Sequence, residues 1–259
     1  MNKLINFIGL QRCGTHAVAN WIIHQSENAE KEQHPTHFHD DVWYYDWGSF
    51  TCGIMFNSRF PHNPEIGYNH LKKIKEYLGN PTVDVCLLCY ECSLVYMHYD
   101  CKAEPDLYET DRKNFQSNNE QTVILLRDVK NCFASFYKKY GHVPQHIIGH
   151  WEARANEILG KTKNVPNHVF LNYNKWFIDK KYRQQLCNDL SLYFTDIGKS
   201  QVPNFGGGSS FSGRQADGNA SSMDVLTRFR NFDKNAGFQR TLQTHKHLVE
   251  LSDEIFGEM

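Results

Sequence analysis

The segment "NFIGLQRCGTHAVANWI", residues 6–22, constrains this chain more than any other. Residues 4–8 are an apolar run of the kind that fills a buried parallel strand. Residues 15–25 place Ala17, Val18, Trp21 and Ile22 at helical spacing. Between them lies a short turn bounded by Gly9 and Gly14. A strand that enters a helix through a glycine turn can cradle an anion. Backbone N–H groups at the helix start face it, the helix dipole adds to them, and glycine permits close approach. A nucleotide-triphosphate P-loop carries Lys directly after its second glycine. Here that position is Thr15, and the basic residue, Arg12, sits inside the turn. The bland alternative is an ordinary strand–helix turn; the coincidence of Gly9, Arg12, Gly14 and Thr15 favours an anion site.

The rest of the chain repeats the alternation. "VDVCLLCYE" (83–91), "TVILLR" (122–127) and "HVFLNY" (168–173) read as buried strands, with a short strand near 53–56. Helices are expected over 15–25, 66–78, 129–140, 145–159, 180–192 and 238–256, the second stopped by Gly79-Asn80-Pro81. Residues 30–64 and 105–121 read as irregular, and 198–222 as a long Gly/Ser-rich loop. Alternating strands and helices imply a parallel sheet covered on both faces. Only 223–259 follow the Gly/Ser stretch, too few for a second core, so 1–259 reads as a single domain.

Ligands of open parallel sheets bind at the carboxyl ends of the strands. Arg127 ends its strand at the same edge as the glycine turn, and Ser135 follows eight residues later on the next helix. Arg can grip a phosphate through two donors, and a Ser hydroxyl can donate to the same group. Alone, an Arg ending a strand is often merely solvated.

Together these residues resemble a family. "FIGLQRCGTHAVANWI" is similar to the 5′-phosphosulfate loop of sulfotransferases that use 3′-phosphoadenosine-5′-phosphosulfate (PAPS): strand, basic residue, small residue, Gly-Thr, helix. "ILLRDVKNCFASFYKKY" is similar to their 3′-phosphate motif, Arg followed eight residues later by Ser. "VFLNYNKWFIDKKYRQQLCNDLSL" resembles their later strand–helix segment, and "FGGGSSFSGR" stands where they carry a loop over the 3′-phosphate. His16 stands in place of the usual second Thr or Ser and Cys13 in place of a common Ser; the family's C-terminal Arg-x-Gly-x-x-Gly-x-Trp-Lys pattern is absent.

The resemblance implies a single-domain, P-loop-like three-layer α/β/α fold with a central parallel sheet. It implies transfer of a sulfuryl group from PAPS to an acceptor hydroxyl or amine, with 3′-phosphoadenosine-5′-phosphate as the product and no metal. Arg12, Cys13, Gly14, Thr15 and His16 would surround the phosphosulfate, and Arg127 and Ser135 the 3′-phosphate, joined by Ser209, Ser210 and Arg214 from the Gly/Ser loop. Arg12 and the loop N–H groups would stabilise charge growing on the leaving phosphate, as an oxyanion hole does. The acceptor must lose a proton, so a base is expected within hydrogen-bond reach. Glu91, at the end of its strand, resembles the Glu of carbohydrate sulfotransferases; His39 in "HPTHFHDD" is its rival, because His titrates near working pH. Saccharide, lipid, peptide and small-molecule acceptors all remain open. Two other classes compete: a P-loop nucleotide or nucleoside kinase, weakened by the missing lysine, and a non-enzymatic nucleotide- or metal-binding module.

Other clusters carry blander readings. Cys86, Cys89 and Cys92, with Cys101 beyond, have a superficial metal spacing. Residues three apart on a strand face opposite sides, so buried apolar cysteine is the better account. His34, His37 and His39 beside Asp40 and Asp41 read as a polar loop lining an acceptor pocket. His146 and His150 share a helical face, and Lys138 and Lys139 sit at a helix end that favours positive charge.

Composition narrows the partners. A formal net charge of −1 over 259 residues offers no global basic field for nucleic acid. No stretch reaches the ~18 apolar residues of a membrane span, and the first ten residues do not read as a signal peptide. A cytoplasmic location with eight free thiols is the expectation.

Overall fold

A computed structural model describes residues 3–25, 45–49, 53–58, 85–90, 120–203 and 208–258. Among these residues there are six strands: β1 (Lys3–Ile8), β2 (Tyr45–Ser49), β3 (Gly53–Ser58), β4 (Val85–Tyr90), β5 (Glu120–Leu126) and β6 (His168–Asn172). They form one sheet in the order β2-β3-β4-β1-β5-β6. β1 is parallel to both its neighbours, β4 and β5; β3 joins β4 and β6 joins β5 in the same sense. Only β2, at the edge, runs antiparallel. The described helices are α1 (Thr15–Ile23), α2 (Val129–Tyr140), α3 (Gln145–Ile158), α4 (Tyr173–Ile178), α5 (Lys180–Asp189), α6 (Ala236–Thr244) and α7 (Lys246–Phe256).

The central strands are buried on both faces, which is why they read as continuous apolar runs. Ile5, Phe7, Val123 and Leu125 enter the main core with Trp21, Phe133, Trp151 and Trp176. Ile8 and Ile124, paired in register, enter a smaller cluster with Val165, against which Ala153 and Ile158 of α3 pack. The fold is therefore α/β, with apolar cover on both faces of a mainly parallel sheet.

Four helix starts are capped by side chains. Asp128 caps α2, its carboxylate accepting from Asn131 N at 2.8 Å, and Val129 N donates to Ser252 Oγ of α7 at 3.1 Å. Asn172, Asp179 and Asn235 cap α4, α5 and α6 in the same way. Gly141 ends α2 with φ 74°, and its N–H returns to Tyr137 O.

Three elements differ from the sequence reading. Asn172 ends β6 and starts α4 at once, where a strand through 173 and then a gap were expected. Its side chain supplies the cap, so no linker is needed. The expected helix over 238–256 breaks at His245 into α6 and α7. Phe238 and Leu248, both fully buried, would face about 80° apart on one straight helix; the break lets each reach the core. β2 lies in the stretch 30–64 that reads as irregular from sequence, because it is only five residues long and carries a glycine that weakens a strand signal. The helix expected over 66–78 lies outside the described residues.

The topology fixes where a ligand crevice opens. The chain leaves β1 toward the β3–β4 side and leaves β5 toward β6 on the other side. Connections that diverge from adjacent strands open a crevice at their carboxyl ends. Gly9 follows β1 there, and Arg127 follows β5. Among the described residues no helix is long and apolar enough to cross a membrane.

Candidate functional site

The glycine turn is held from three sides. Cys13 N donates to Leu10 O at 3.0 Å, and Thr15 Oγ1 donates to the same carbonyl at 3.0 Å. Fully buried Arg154 of α3 donates through Nη2 to Gly9 O at 2.7 Å and through Nη1 to His150 O at 2.9 Å. Arg12 and Gly14 take left-handed backbone angles, φ 65° and 88°. At Gly14 glycine is required: a Cβ would lie 2.1 Å from Cε2 of the buried Tyr173 ring. Helix α1 starts without a side-chain cap, and its first internal bond runs from Val18 N to Gly14 O. The N–H groups of residues 15–17 precede that bond, so the positive end of the helix faces outward.

That turn forms one wall of a cleft of about 350 Å³. Arg12, Gly14, Thr15 and His16 line it on the α1 side, and Arg127, Ser135 and Lys139 on the α2 side. Ser209, Ser210, Val225 and Arg228 close it from the C-terminal part of the chain. Five cationic side chains line it and, among the described residues, no Asp or Glu does. A cavity so lined favours a ligand carrying several negative charges.

At the β5 end, Arg127 is buried. It donates through Nη2 to Val225 O, stacks over the Tyr173 ring at 5.1 Å, and keeps its Nε buried without a hydrogen-bond partner among the described residues. Arg228, also buried, packs over Phe211 at 4.9 Å and is pushed down to about 10 by burial and by the nearby Arg127 charge. Two desolvated guanidinium groups side by side are costly without a counter-anion. Ser135 Oγ lies 2.7 Å from Ser210 Oγ, bridging α2 to the C-terminal loop at the same end.

The structure brings most of the expected site residues together. Arg12, Gly14, Thr15, His16, Arg127, Ser135, Ser209 and Ser210 all line this cleft. Cys13 turns its thiol away, buried 3.6 Å from Cys132 Sγ, so it offers only backbone. Ser209 Oγ accepts from Phe211 N and Ser212 N within its own turn. Arg214 is exposed, ion-paired to Asp217 at 2.6 Å, and not on the cleft wall. Glu91, His39, His34, His37, Asp40 and Asp41 lie outside the described residues, as do Cys92 and Cys101. His146 and His150 meet edge-on at 5.7 Å but do not line the cleft; burial, Arg154 and His146 lower His150 to about 4.

Sequence reasoning missed Arg228, Tyr173 and Lys199. Lys199 lines the cleft with its ammonium 4.2 Å from the Phe177 ring centre and 5.1 Å from that of Trp176. Burial and the Arg183 charge lower it to about 8, against the opposing pull of Asp196. Below pH 8 it carries charge that an anion would meet; above, it does not. Anion affinity should therefore weaken as pH rises from 7 to 9, and Lys199→Met should flatten that dependence. Calorimetric titration with adenosine 3′,5′-bisphosphate across this range is the check.

The sequence matches no known family model, and no curated protein is similar enough to it to count as a relative.

Proposed function

We propose that this chain is a PAPS-dependent sulfotransferase of P-loop-like α/β/α fold, acting on an acceptor hydroxyl or amine. The observation that carries the reading is one cleft whose lining joins a lysine-free glycine turn with Arg12 to Arg127, Ser135, Ser210 and Arg228. A nucleotide with phosphate-type groups at both 5′ and 3′ positions would use both cationic groups, whereas a 5′-triphosphate places its charge in one chain. Arg127 Nε, buried without a partner among the described residues, supports the fit, since a buried donor needs an acceptor.

Bound there, PAPS would supply an activated sulfuryl group. The chain's own residues divide the remaining work. Thr15 spends its hydroxyl proton on Leu10 O, so donors to the 5′ end come from Arg12 and the backbone N–H groups at the start of α1. The backbone donors are fixed before any ligand arrives, as preorganised charge stabilisation requires. Arg127, Ser135 and Arg228 hold the 3′ end, with Ser210 in place of a side chain from the family's missing C-terminal pattern. Proton removal from the acceptor falls to Glu91 or His39. If Glu91 is the base, Glu91→Gln should keep nucleotide binding and lose turnover.

Thermal unfolding with adenosine 3′,5′-bisphosphate and excess chelator tests the reading. At about 100 times the dissociation constant, stabilisation of about 2.7 kcal/mol, or roughly 5–10 °C, is expected. ATP with magnesium should give much less. The reverse order would point to a kinase, and response to neither would refute a nucleotide site.

A further inference from the structure

Tyr173 opens α4 directly at the end of β6, because Asn172 both ends the strand and caps the helix. β6 borders β5, and β5 borders β1, so Arg127 follows the strand that lies between Tyr173 and the glycine turn. The ring touches both. Its Cε2 edge abuts Gly14, where no Cβ would fit, and the Arg127 guanidinium lies over its face, 5.1 Å from the centre. Trp176 and Phe177, three and four residues on in the same helix, pack against it at 5.5 and 6.2 Å. Trp176 in turn meets Trp21 of α1 edge-on at 6.0 Å. Tyr173 is buried and lines the cleft.

A tyrosine ring is rigid and turns about only two side-chain bonds, so groups that meet its edge and its face are held at one separation. Packed at interior density, it leaves neither neighbour room to shift alone. We infer that Tyr173 is a positioning residue: its ring sets the spacing between the glycine turn and Arg127, so that the cleft selects a nucleotide by the separation of its two phosphate-type groups. Such selection is a difference of affinities, because a ligand of equal charge but different spacing leaves one set of donors poorly aimed. The inference rests on the proposed function, because it assigns the turn and Arg127 to two different groups of one nucleotide.

Adenosine 3′,5′-bisphosphate and adenosine 2′,5′-bisphosphate carry the same base and charge and differ only in the ribose carbon that bears one phosphate. Calorimetric titration of the wild-type protein should show the 3′,5′ isomer bound at least about tenfold tighter, the effect of one lost hydrogen bond to a charged group. Tyr173→Leu removes the flat ring and should narrow that preference to within about threefold, mainly by weakening the 3′,5′ isomer. Tyr173→Phe keeps edge and face and should restore the full preference. Should the Leu variant fail to fold, Tyr173→Met, with a flexible filler in the same space, takes its place. A role in stability alone would weaken both isomers equally, so an unchanged ratio in the folded variant overturns the spacing role. So does a Tyr173→Phe variant as impaired as Tyr173→Leu, which would put the effect in the hydroxyl. Wild-type protein that binds the two isomers within about twofold of each other overturns it too, and in each of these cases the site reading stands. Wild-type protein that binds neither isomer overturns the site reading and this inference with it.

Discussion

Arg127→Ala is expected to abolish stabilisation by adenosine 3′,5′-bisphosphate, with affinity reduced at least about a hundredfold. Hydrogen bonds to a charged group contribute about 1.5–3 kcal/mol each, and Arg127 can direct more than one donor at a phosphate. Its burial keeps solvent from screening them. The substitution also removes the donor to Val225 O and the cation over the Tyr173 ring, so some intrinsic stability is lost as well. Ligand-induced shift measured against each variant's own unliganded midpoint separates the two losses. Arg127→Lys should recover only part of the binding, because an ammonium keeps the charge without the planar fork. An alanine variant that still binds within twofold of wild type would remove Arg127 from the site.

The second large effect is on stability. Gly14→Ala is expected to cost about 3 kcal/mol or more, from strain at a positive φ together with overpacking of a filled core. The added methyl would meet the Tyr173 ring at 2.1 Å, and that ring is itself fixed beneath Arg127 and beside Trp176. Relief by movement would displace the cleft wall, so anion binding should fall with the melting temperature. Gly141→Ala is the natural comparison. Its φ is 74°, but nothing lies within 4 Å of the added carbon. It should cost only about 1 kcal/mol, the strain alone. Equal midpoints for the two variants, by thermal unfolding, would contradict the clash argument.

The strand–turn–helix at residues 6–22 was readable because every signal in it is local. A continuous apolar run, a glycine at a left-handed position and a 3.6-residue period each depend on near neighbours. The same holds for Arg127 and Ser135. One sits at a strand end and the other two turns into the following helix, so short-range geometry alone puts both at one edge. What was not readable came from distant chain. Arg228 reaches the cleft about a hundred residues after Arg127, and Lys199 approaches the aromatic pair Trp176 and Phe177 across an intervening helix. Neither has a local pattern that distinguishes it from a solvated surface cation. Arg214 shows the converse: a basic residue in the expected loop, turned outward to Asp217.

Cys13 and Thr15 show how far a motif reaches. Their sequence positions suggested ligand contacts, but packing against Cys132 and a bond to Leu10 O commit both side chains to the turn itself. The sequence by itself determined a mainly parallel α/β sheet and a glycine turn without a lysine at the end of its first strand, because strand burial and turn chemistry are short-range properties. Only the tertiary structure decided that the turn shares one cleft with Arg127, Arg228 and Lys199. Charge accumulates in a cleft through contacts between segments far apart in the chain, and no local periodicity records them.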